Sequence, residues 1–456
     1  MPTLSVGLAV ESLMILRNFY NDSLSQASYL VGCAATGQAI VIDPSRDIQP
    51  YLTMADSQGL TITAVTETHI HADYLSGSRE LAAKTGATLY LSDCGDADWK
   101  YAFAKDPTVQ LVKDGDVITI GNLSLKVIHT PGHTPEHIVF LLTDHPTGET
   151  PHSLFSGDFM FAGDVGRPDL LERAAKVEGT MEQGARQLYQ SLQKMADLPD
   201  SLLVWPGHGA GSSCGKSLGG SPVTSLGYER RTNWALSVKS EDKFVDEVLS
   251  GQPEPPTYFR EMKVRNKLGP AILGGLRSVT KLELPTGRIV DVRPIQAIRN
   301  DYIEGSLVIP AGKSQVNWAG WLLDYENPLT LVASSQEDAD AAARTLALIG
   351  LDTVEGWLLS SDLKMKAHGQ IETISVDDLT DDDHVIDVRG LNEWNHARMK
   401  GTEHIPMGYL RDHVEALPKD KRLVVHCASG GRTPSAFSVL REAGLMNVVE
   451  LKGGLG

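Results

Sequence analysis

Cysteine is scarce: only Cys33, Cys94, Cys214 and Cys427 occur in 456 residues, far apart and without a C-x-x-C pair. That excludes a disulfide framework and fits the reduced thiols of a cytosolic protein. Basic charge is short as well, since 41 Lys and Arg face 58 Asp and Glu for a net charge of −17. Such a balance argues against nucleic acid or an anionic membrane as a partner, while leaving room for a local basic pocket. No apolar run is long enough to span a bilayer. The N-terminus lacks a basic n-region and Glu11 interrupts its mild hydrophobicity, so no signal peptide and a cytoplasmic location are expected. Hydrophobic residues at 41% and charged residues at 22% are ordinary for a globular chain. The length suggests about two to four domains.

What is present centres on Thr68 to Tyr74, T-H-I-H-A-D-Y. It follows the β-branched run Ile62 to Val65, so His69, His71 and Asp73 are expected to leave a strand and aim to one side. Three more ligand types recur after strand-like runs. His133 ends T-P-G-H after Leu123 to Ile128, Asp158 ends S-G-D after Leu154 and Phe155, and His208 ends P-G-H after Leu202 to Trp205. Imidazole nitrogens and carboxylate oxygens are ligands that Zn, Fe or Mn accept. Strand-end loops on one sheet edge are where α/β folds build such sites.

H-x-H-x-D, T-P-G-H, S-G-D and P-G-H in this order resemble the metallo-β-lactamase fold. The resemblance implies an αββα sandwich over residues 1–265 with metal at one edge of two sheets, in a multidomain α/β chain. Dinuclear zinc hydrolases of that fold read H-x-H-x-D-H, whereas Tyr74 occupies the last position here. A neutral phenol is a poor ligand, so a single metal is expected. V-I-D-P-S-R-D, Val41 to Asp47, resembles the persulfide dioxygenase branch. That branch implies one Fe(II) per chain held by His69, His133 and Asp158, a facial triad with open positions. His71, Asp73 and His208 would then orient ligands and waters, or serve as alternative metal ligands. The implied partners are O2 and a thiol persulfide of the glutathione or coenzyme A type. Arg167, Tyr228, Arg230 and Arg231 are expected to meet the anionic carrier, since guanidinium forks suit carboxylate and phosphate. Cys214, beside Lys216 in a Gly/Ser-rich loop, is a possible reactive thiol.

Pro253, Pro255 and Pro256 precede a boundary expected near 265, and beyond it two stretches match. I-V-D-V-R at Ile289 to Arg293 pairs with V-I-D-V-R at Val385 to Arg389. G-S-L-V-I-P-A-G at Gly305 to Gly312 pairs with G-T-E-H-I-P-M-G at Gly401 to Gly408. Two small α/β domains with parallel sheets are expected, at 266–370 and 371–456.

The second repeat carries C-A-S-G-G-R, Cys427 to Arg432, between an apolar strand and a helix opening near Thr433. A Cys there faces convergent backbone N–H groups that can hold the charge of a thiolate or a terminal persulfide sulfur. The loop, with D-V-R and the pair Glu393–Trp394, resembles the rhodanese active site. It implies sulfane-sulfur transfer at Cys427 with Arg432 binding thiosulfate or sulfite. In the first repeat Ser334 and Ala339 replace Cys427 and Arg432, so that domain is expected to be inactive. Rhodanese domains usually continue past L-K-G-G, so the last domain is expected to be C-terminally incomplete. Two other readings stand beside a persulfide dioxygenase fused to a sulfurtransferase. One is a zinc thioester hydrolase of the glyoxalase II type with an appended sulfurtransferase. The other is a non-enzymatic persulfide sensor or sulfur carrier. The sequence leaves the thiol carrier, the direction of sulfur flow and homo-oligomerisation open.

Overall fold

The computed structural model describes residues 14–173, 179–212, 214–216 and 218–454. The N-terminal stretch read as lacking a signal peptide lies mostly outside them. The chain forms two compact units, Met1–Leu276 and Arg277–Gly456.

Two six-stranded sheets build the first unit. One runs in chain order through β1 (Met14–Asn21), β2 (Gln26–Cys33), β3 (Gln38–Ile42), β4 (Thr61–Thr66), β5 (Thr88–Ser92) and β6 (Val109–Val112). The other contains β7 (Val117–Ile120), β8 (Leu123–His129), β9 (Ile138–Asp144), β10 (Ser153–Gly157), β11 (Leu203–Pro206) and β12 (Thr224–Ser225). Strands β1, β6 and β7 were not legible as strands. β2 is buried at every position and β9 likewise. Alternating side chains such as Val31, Ile40, Leu125, Val127 and Phe140 fill the space between the sheets. Truncating one of them, for example Phe140→Ala, costs about 3–5 kcal/mol by the usual cavity term.

Helices cover both outer faces, completing an αββα sandwich. Gln49–Ser57 and Ser78–Thr85 pack on the first sheet. Thr180–Gln193 turns Ala185, Leu188 and Leu192 inward at helical spacing, and Glu241–Leu249 does so with Phe244, Val245 and Val248. The Ser240 side chain caps the latter by accepting from the Lys243 N–H.

The first unit runs past 265 because its last helix, Tyr258–Leu268, is tied into it. Arg79 Nη1 donates to the Pro270 carbonyl at 2.8 Å, and Glu80 accepts from the Leu273 and Gly275 N–H groups at 2.6 and 2.7 Å.

The second unit holds two parallel sheets of matching order. β15 (Leu307–Val308), β13 (Arg288–Asp291), β16 (Leu329–Val332) and β17 (Val354–Leu358) form one, with β14 (Tyr302–Ile303) pairing separately with β18 (His368–Gly369). The other is β19 (Thr373–Ile374), β23 (Val448–Leu451), β22 (Leu423–His426), β20 (His384–Asp387) and β21 (Glu403–His404). Each D-V-R motif folds back on itself. Arg293 Nη2 donates to Asp291 at 2.6 Å, and Arg389 Nη2 to Asp387 at 2.7 Å. No helix among the described residues is long and apolar enough to cross a membrane.

Candidate functional site

The edge of the sandwich is set by main-chain ties between the sheets. The Ala27 N–H donates to the Gly207 carbonyl and the Gly207 N–H to the Gly157 carbonyl, both at 2.8 Å. Tyr29 Oη donates to the Pro206 carbonyl at 2.6 Å. These bonds join the loop after β11 to β2 and to the end of β10, and the Ile138 N–H, donating to the Thr68 carbonyl at 2.8 Å, ties the loop after β4 to β9. His69, His133 and Asp158 form one buried donor group and Asp73, His208 and Cys214 a second, the donor atoms of each group lying within 4.8 Å of one another. Asp158 links the two, with Oδ2 at 3.5 Å from His133 Nε2 and Oδ1 at 3.4 Å from His208 Nε2.

Each histidine of these groups has its outer nitrogen spoken for. His133 Nδ1–H donates to the Arg167 carbonyl and His208 Nδ1–H to the Ser25 carbonyl, both at 3.0 Å. His69 Nδ1–H donates to Thr68 Oγ1 at 3.0 Å, and that hydroxyl donates to Asp43 at 2.9 Å. These bonds leave the Nε2 lone pairs aimed inward. Burial, reinforced by neighbouring imidazoles, pushes His69 well below the ordinary histidine value and also lowers His133, so both remain neutral and able to ligate. The buried His69 Nε2 and both oxygens of Asp158 and Asp73 have no hydrogen-bond partner. Unpartnered buried donors and acceptors of this chemistry fit a divalent metal.

His71 joins neither group. Its Nε2 meets Asp43 at 3.1 Å, and although burial opposes it, Asp43 holds the imidazole up at about 9. The three motif residues therefore do not act on one side together. Tyr74 is buried, and its hydroxyl donates to the Asp43 carbonyl at 3.2 Å. Burial, with Asp43 next, pushes its phenol well above the usual range, so it stays neutral.

Asp43 is the residue that sequence reasoning missed. It sits at φ +53, a conformation that short polar side chains tolerate, and ties the Thr68 N–H, the Thr68 hydroxyl and His71 together. Asn266 is a second: Nδ2 donates to the His71 and Tyr74 carbonyls, both at 2.8 Å. His137 is a third, stacked on His69 at 5.0 Å and accepting from the Asp158 N–H at 3.2 Å. The H four residues after His133 was the available signal for it.

Arg167 requires a correction. It is fully buried, and its guanidinium pairs with Asp169 through two bonds of 2.7 Å, so it presents no fork to a carrier. Its service to the site is the carbonyl under His133. Arg230 is corrected too, because its guanidinium pairs with Asp200 and donates to the Met195, Ala196 and Leu198 carbonyls, anchoring a turn. Tyr228 and Arg231 are exposed on the same helix, Leu226–Thr232. Cys214 is buried beside the cluster, and burial followed by Asp158 and Asp73 pushes its thiol well up. That setting disfavours a free thiolate. Cys33 is buried and Cys94 half-buried.

Other basic side chains of the first unit line a cleft, together with Asp96 and Asp98. The cleft, of about 470 Å³, is lined by Ile70, Gly132 and Trp99 and by Arg260, Lys263 and Lys267 of the helix Tyr258–Leu268. Ile70 lies between the two motif histidines and Gly132 precedes His133. Gly132 has φ +147, and a Cβ there would meet Leu188 at 2.5 Å, so the approach of the helix Thr180–Gln193 requires glycine. Lys263 Nζ lies 3.7 Å from the Trp99 ring centroid. Burial lowers the Lys263 ammonium to about 7, against the opposing charge of Glu136, which accepts from the Ile70 N–H at 2.8 Å.

In the second unit Cys427 follows β22 and precedes the helix Thr433–Glu442. Gly430, at φ +81, donates its N–H to Cys427 Sγ at 3.1 Å. Arg432 makes a two-pronged pair with Glu393, both bonds 2.6 Å.

Fold and donor set together define a metal-binding α/β enzyme class. Residues 22–208 match the metallo-beta-lactamase superfamily and residues 374–456 the rhodanese-like domain. The crystal structure of a metallo-beta-lactamase from Staphylococcus aureus subsp. aureus COL is 44% identical, with a TM-score of 0.70, covering 76% of this chain and 99% of that one. The chain belongs to the metallo-β-lactamase superfamily and carries a rhodanese-like domain at its C-terminus. A hydroxyacylglutathione hydrolase of Rhodospirillum rubrum is 36% identical over 40% of this chain and 60% of its own length. The mitochondrial persulfide dioxygenase ETHE1 of Bos taurus is 27% identical over 53% and 84%. The chain thus spans about three fifths of the length of hydroxyacylglutathione hydrolases it matches, 60% and 62% in two cases.

Proposed function

We propose that the chain is a sulfur-oxidising enzyme with two centres. A low-molecular-weight thiol persulfide is oxidised at a single Fe(II) held by His69, His133 and Asp158: R–S–SH + O2 + H2O → R–SH + SO3²⁻ + 2H⁺. Sulfane sulfur is exchanged between thiosulfate and sulfite at Cys427. The observation that carries this reading is the three-donor group with Tyr74 beside it, its hydroxyl spent on the Asp43 carbonyl where a hydrolase would offer an imidazole. When bound there, iron supplies the one-electron chemistry that dioxygen requires. The chain's own residues do the rest. The Asp43–Thr68 link and the Arg167 carbonyl fix the two imidazoles. Arg260 and Lys267 present positive charge to an anionic carrier of the glutathione or coenzyme A type, and the Trp99 ring offers it an apolar wall. In the second unit Arg432 binds the incoming anion and the loop N–H groups hold the terminal sulfur.

A second reading, a zinc thioester hydrolase with an appended sulfurtransferase, draws on Asp73, His208 and Cys214. These could hold a second metal without a sixth-position histidine. Metal analysis of anaerobically purified protein, with oxygen uptake on glutathione and coenzyme A persulfides, separates the two. One iron per chain with oxygen consumption is expected. Two zinc ions with acyl-thioester hydrolysis and no oxygen uptake would establish the hydrolase instead. Tyr74→His should raise second-metal binding.

A further inference from the structure

The repeat that lacks a nucleophile reaches into the loop of the repeat that has one. Arg299 lies on the helix Ile295–Asn300 of the first repeat. Its Nη2 donates to the Gly430 carbonyl at 2.8 Å and its Nε to Glu450 Oε2 at 2.7 Å. Glu450 is almost fully buried on β23, so the guanidinium is anchored from behind. Gly430 is therefore held at both ends, its carbonyl by Arg299 and, at 3.3 Å, by the Thr433 hydroxyl, and its N–H by Cys427 Sγ. The same repeat covers the helix that follows. Every residue from Thr433 to Leu440 is buried, and the Val308 N–H of β15 donates to Ser438 Oγ at 3.0 Å. A lone rhodanese-like domain would leave one face of that helix in water.

We infer that Arg299 is the positioning residue of the Cys427 loop, so that sulfur transfer at Cys427 requires the first repeat as a structural partner. The inference rests on the reading of Cys427 as the transfer site. In that step the Cys427 thiolate attacks the sulfane sulfur of thiosulfate. A new S–S bond forms, the S–S bond of thiosulfate breaks, and sulfite leaves with its electron pair: Cys–S⁻ + S2O3²⁻ → Cys–S–S⁻ + SO3²⁻. Negative charge moves onto the terminal sulfur, where correctly turned loop N–H groups stabilise it. Arg299 touches neither sulfur nor sulfite, and its effect passes through the Gly430 carbonyl. With only the longer Thr433 bond left on that carbonyl, the glycine at φ +81 has other conformations available.

The test uses the full chain with Arg299→Ala, Arg299→Lys and Arg288→Ala. Arg288 supplies another ion pair between the repeats, to Glu442 at the far end of the same helix, 2.6 Å away. Thiosulfate turnover with sulfite or cyanide as acceptor gives kcat and KM. The iodoacetamide alkylation rate of Cys427, read by mass spectrometry, reports the loop directly. Arg299→Ala should lower kcat about tenfold and change the thiosulfate KM less than about twofold, because Arg432 is untouched. Alkylation of Cys427 should slow in parallel, and Arg299→Lys should recover part of both. Arg288→Ala should keep kcat while losing as much thermal stability as Arg299→Ala. Wild-type kcat and alkylation in Arg299→Ala, or an equal kcat loss in Arg288→Ala, would overturn the inference. If wild type and Cys427→Ser transfer sulfur equally, the transfer reading fails by itself. The alkylation rates then still decide whether Arg299 sets the loop.

Discussion

The two centres are built in opposite ways. In the first unit His69, His133 and Asp158 each come from a different strand-end loop, and Asn266 reaches the His71 carbonyl across 195 positions of sequence. In the second unit Cys427, Gly430 and Arg432 lie on one short loop, and supports come from afar, Arg299 across 131 positions and Glu393 across 39. A site assembled from many loops depends on the whole sandwich, so a change in any supporting group disturbs all its ligands. A site held on one loop tolerates distant change and answers to the few bonds that set its peptides.

Reciprocal inactivation breaks or confirms that separation and has the largest expected effect. Cys427→Ser should reduce thiosulfate–sulfite exchange by at least about a thousandfold and leave oxygen uptake on a small persulfide intact. His133→Ala should remove the metal and oxygen uptake while exchange continues. Loss of both activities from either substitution would mean that the centres are not independent. Support of the buried cluster is the next test. Asp169→Asn strands the buried Arg167 guanidinium and should cost the first unit about 3–5 kcal/mol in urea unfolding. Metal content should fall with it, whereas thiosulfate exchange should not. Stability within error of wild type would return Arg167 to the role of a carrier-binding residue.

A smaller effect concerns the anion clamp. Glu393 occupies Arg432 in the absence of substrate, and the half-buried pair holds the Glu393 carboxyl below its usual value. Glu393→Gln should lower the thiosulfate KM up to about fivefold, the yield of a single partly exposed ion pair. A raised KM would show that Glu393 holds Arg432 in place instead. The mildest test is acid stability. Burial pushes Asp301 up, yet bonds from Ser360, His368 and Arg293 outweigh it and hold its carboxyl at about 2. A depressed carboxyl contributes stability that is present above its unfolded value near 4 and is lost as pH falls through about 2. The second unit should therefore weaken between those values, and Asp301→Asn should flatten that slope. His368, raised chiefly by its bond to Asp301, has the opposite sign: its contribution is present below its unfolded value and is lost as pH rises through the folded one. Unfolding midpoints in urea between about pH 2 and 4 check Asp301, and midpoints taken upward from about pH 6 check His368.

The sequence by itself determined the ligand types, the strand-end placement of His69, His133, Asp158 and His208, and the Cys427 loop. Each of these is a local relation: a β-branched run, a turn residue, then a ligand or nucleophile within a few positions, which backbone geometry alone converts into a loop at a sheet edge. The repeat was legible for the same reason, because matching strands and turns leave matching short motifs. Tertiary structure decided the rest. Arg167 looked available beside Asp158, but Asp169 claims it once both are buried, since a charge taken out of water must find a partner. Arg230 is likewise consumed by carbonyls at Met195, Ala196 and Leu198 that no spacing brings near it. The basic wall of the cleft comes from a helix beyond the prolines, and His71 answers to Asp43, which lies 28 positions before it. Which arginine meets water, which meets a carboxylate and which supports a distant loop depends on packing between segments, and burial sets the energy of each choice.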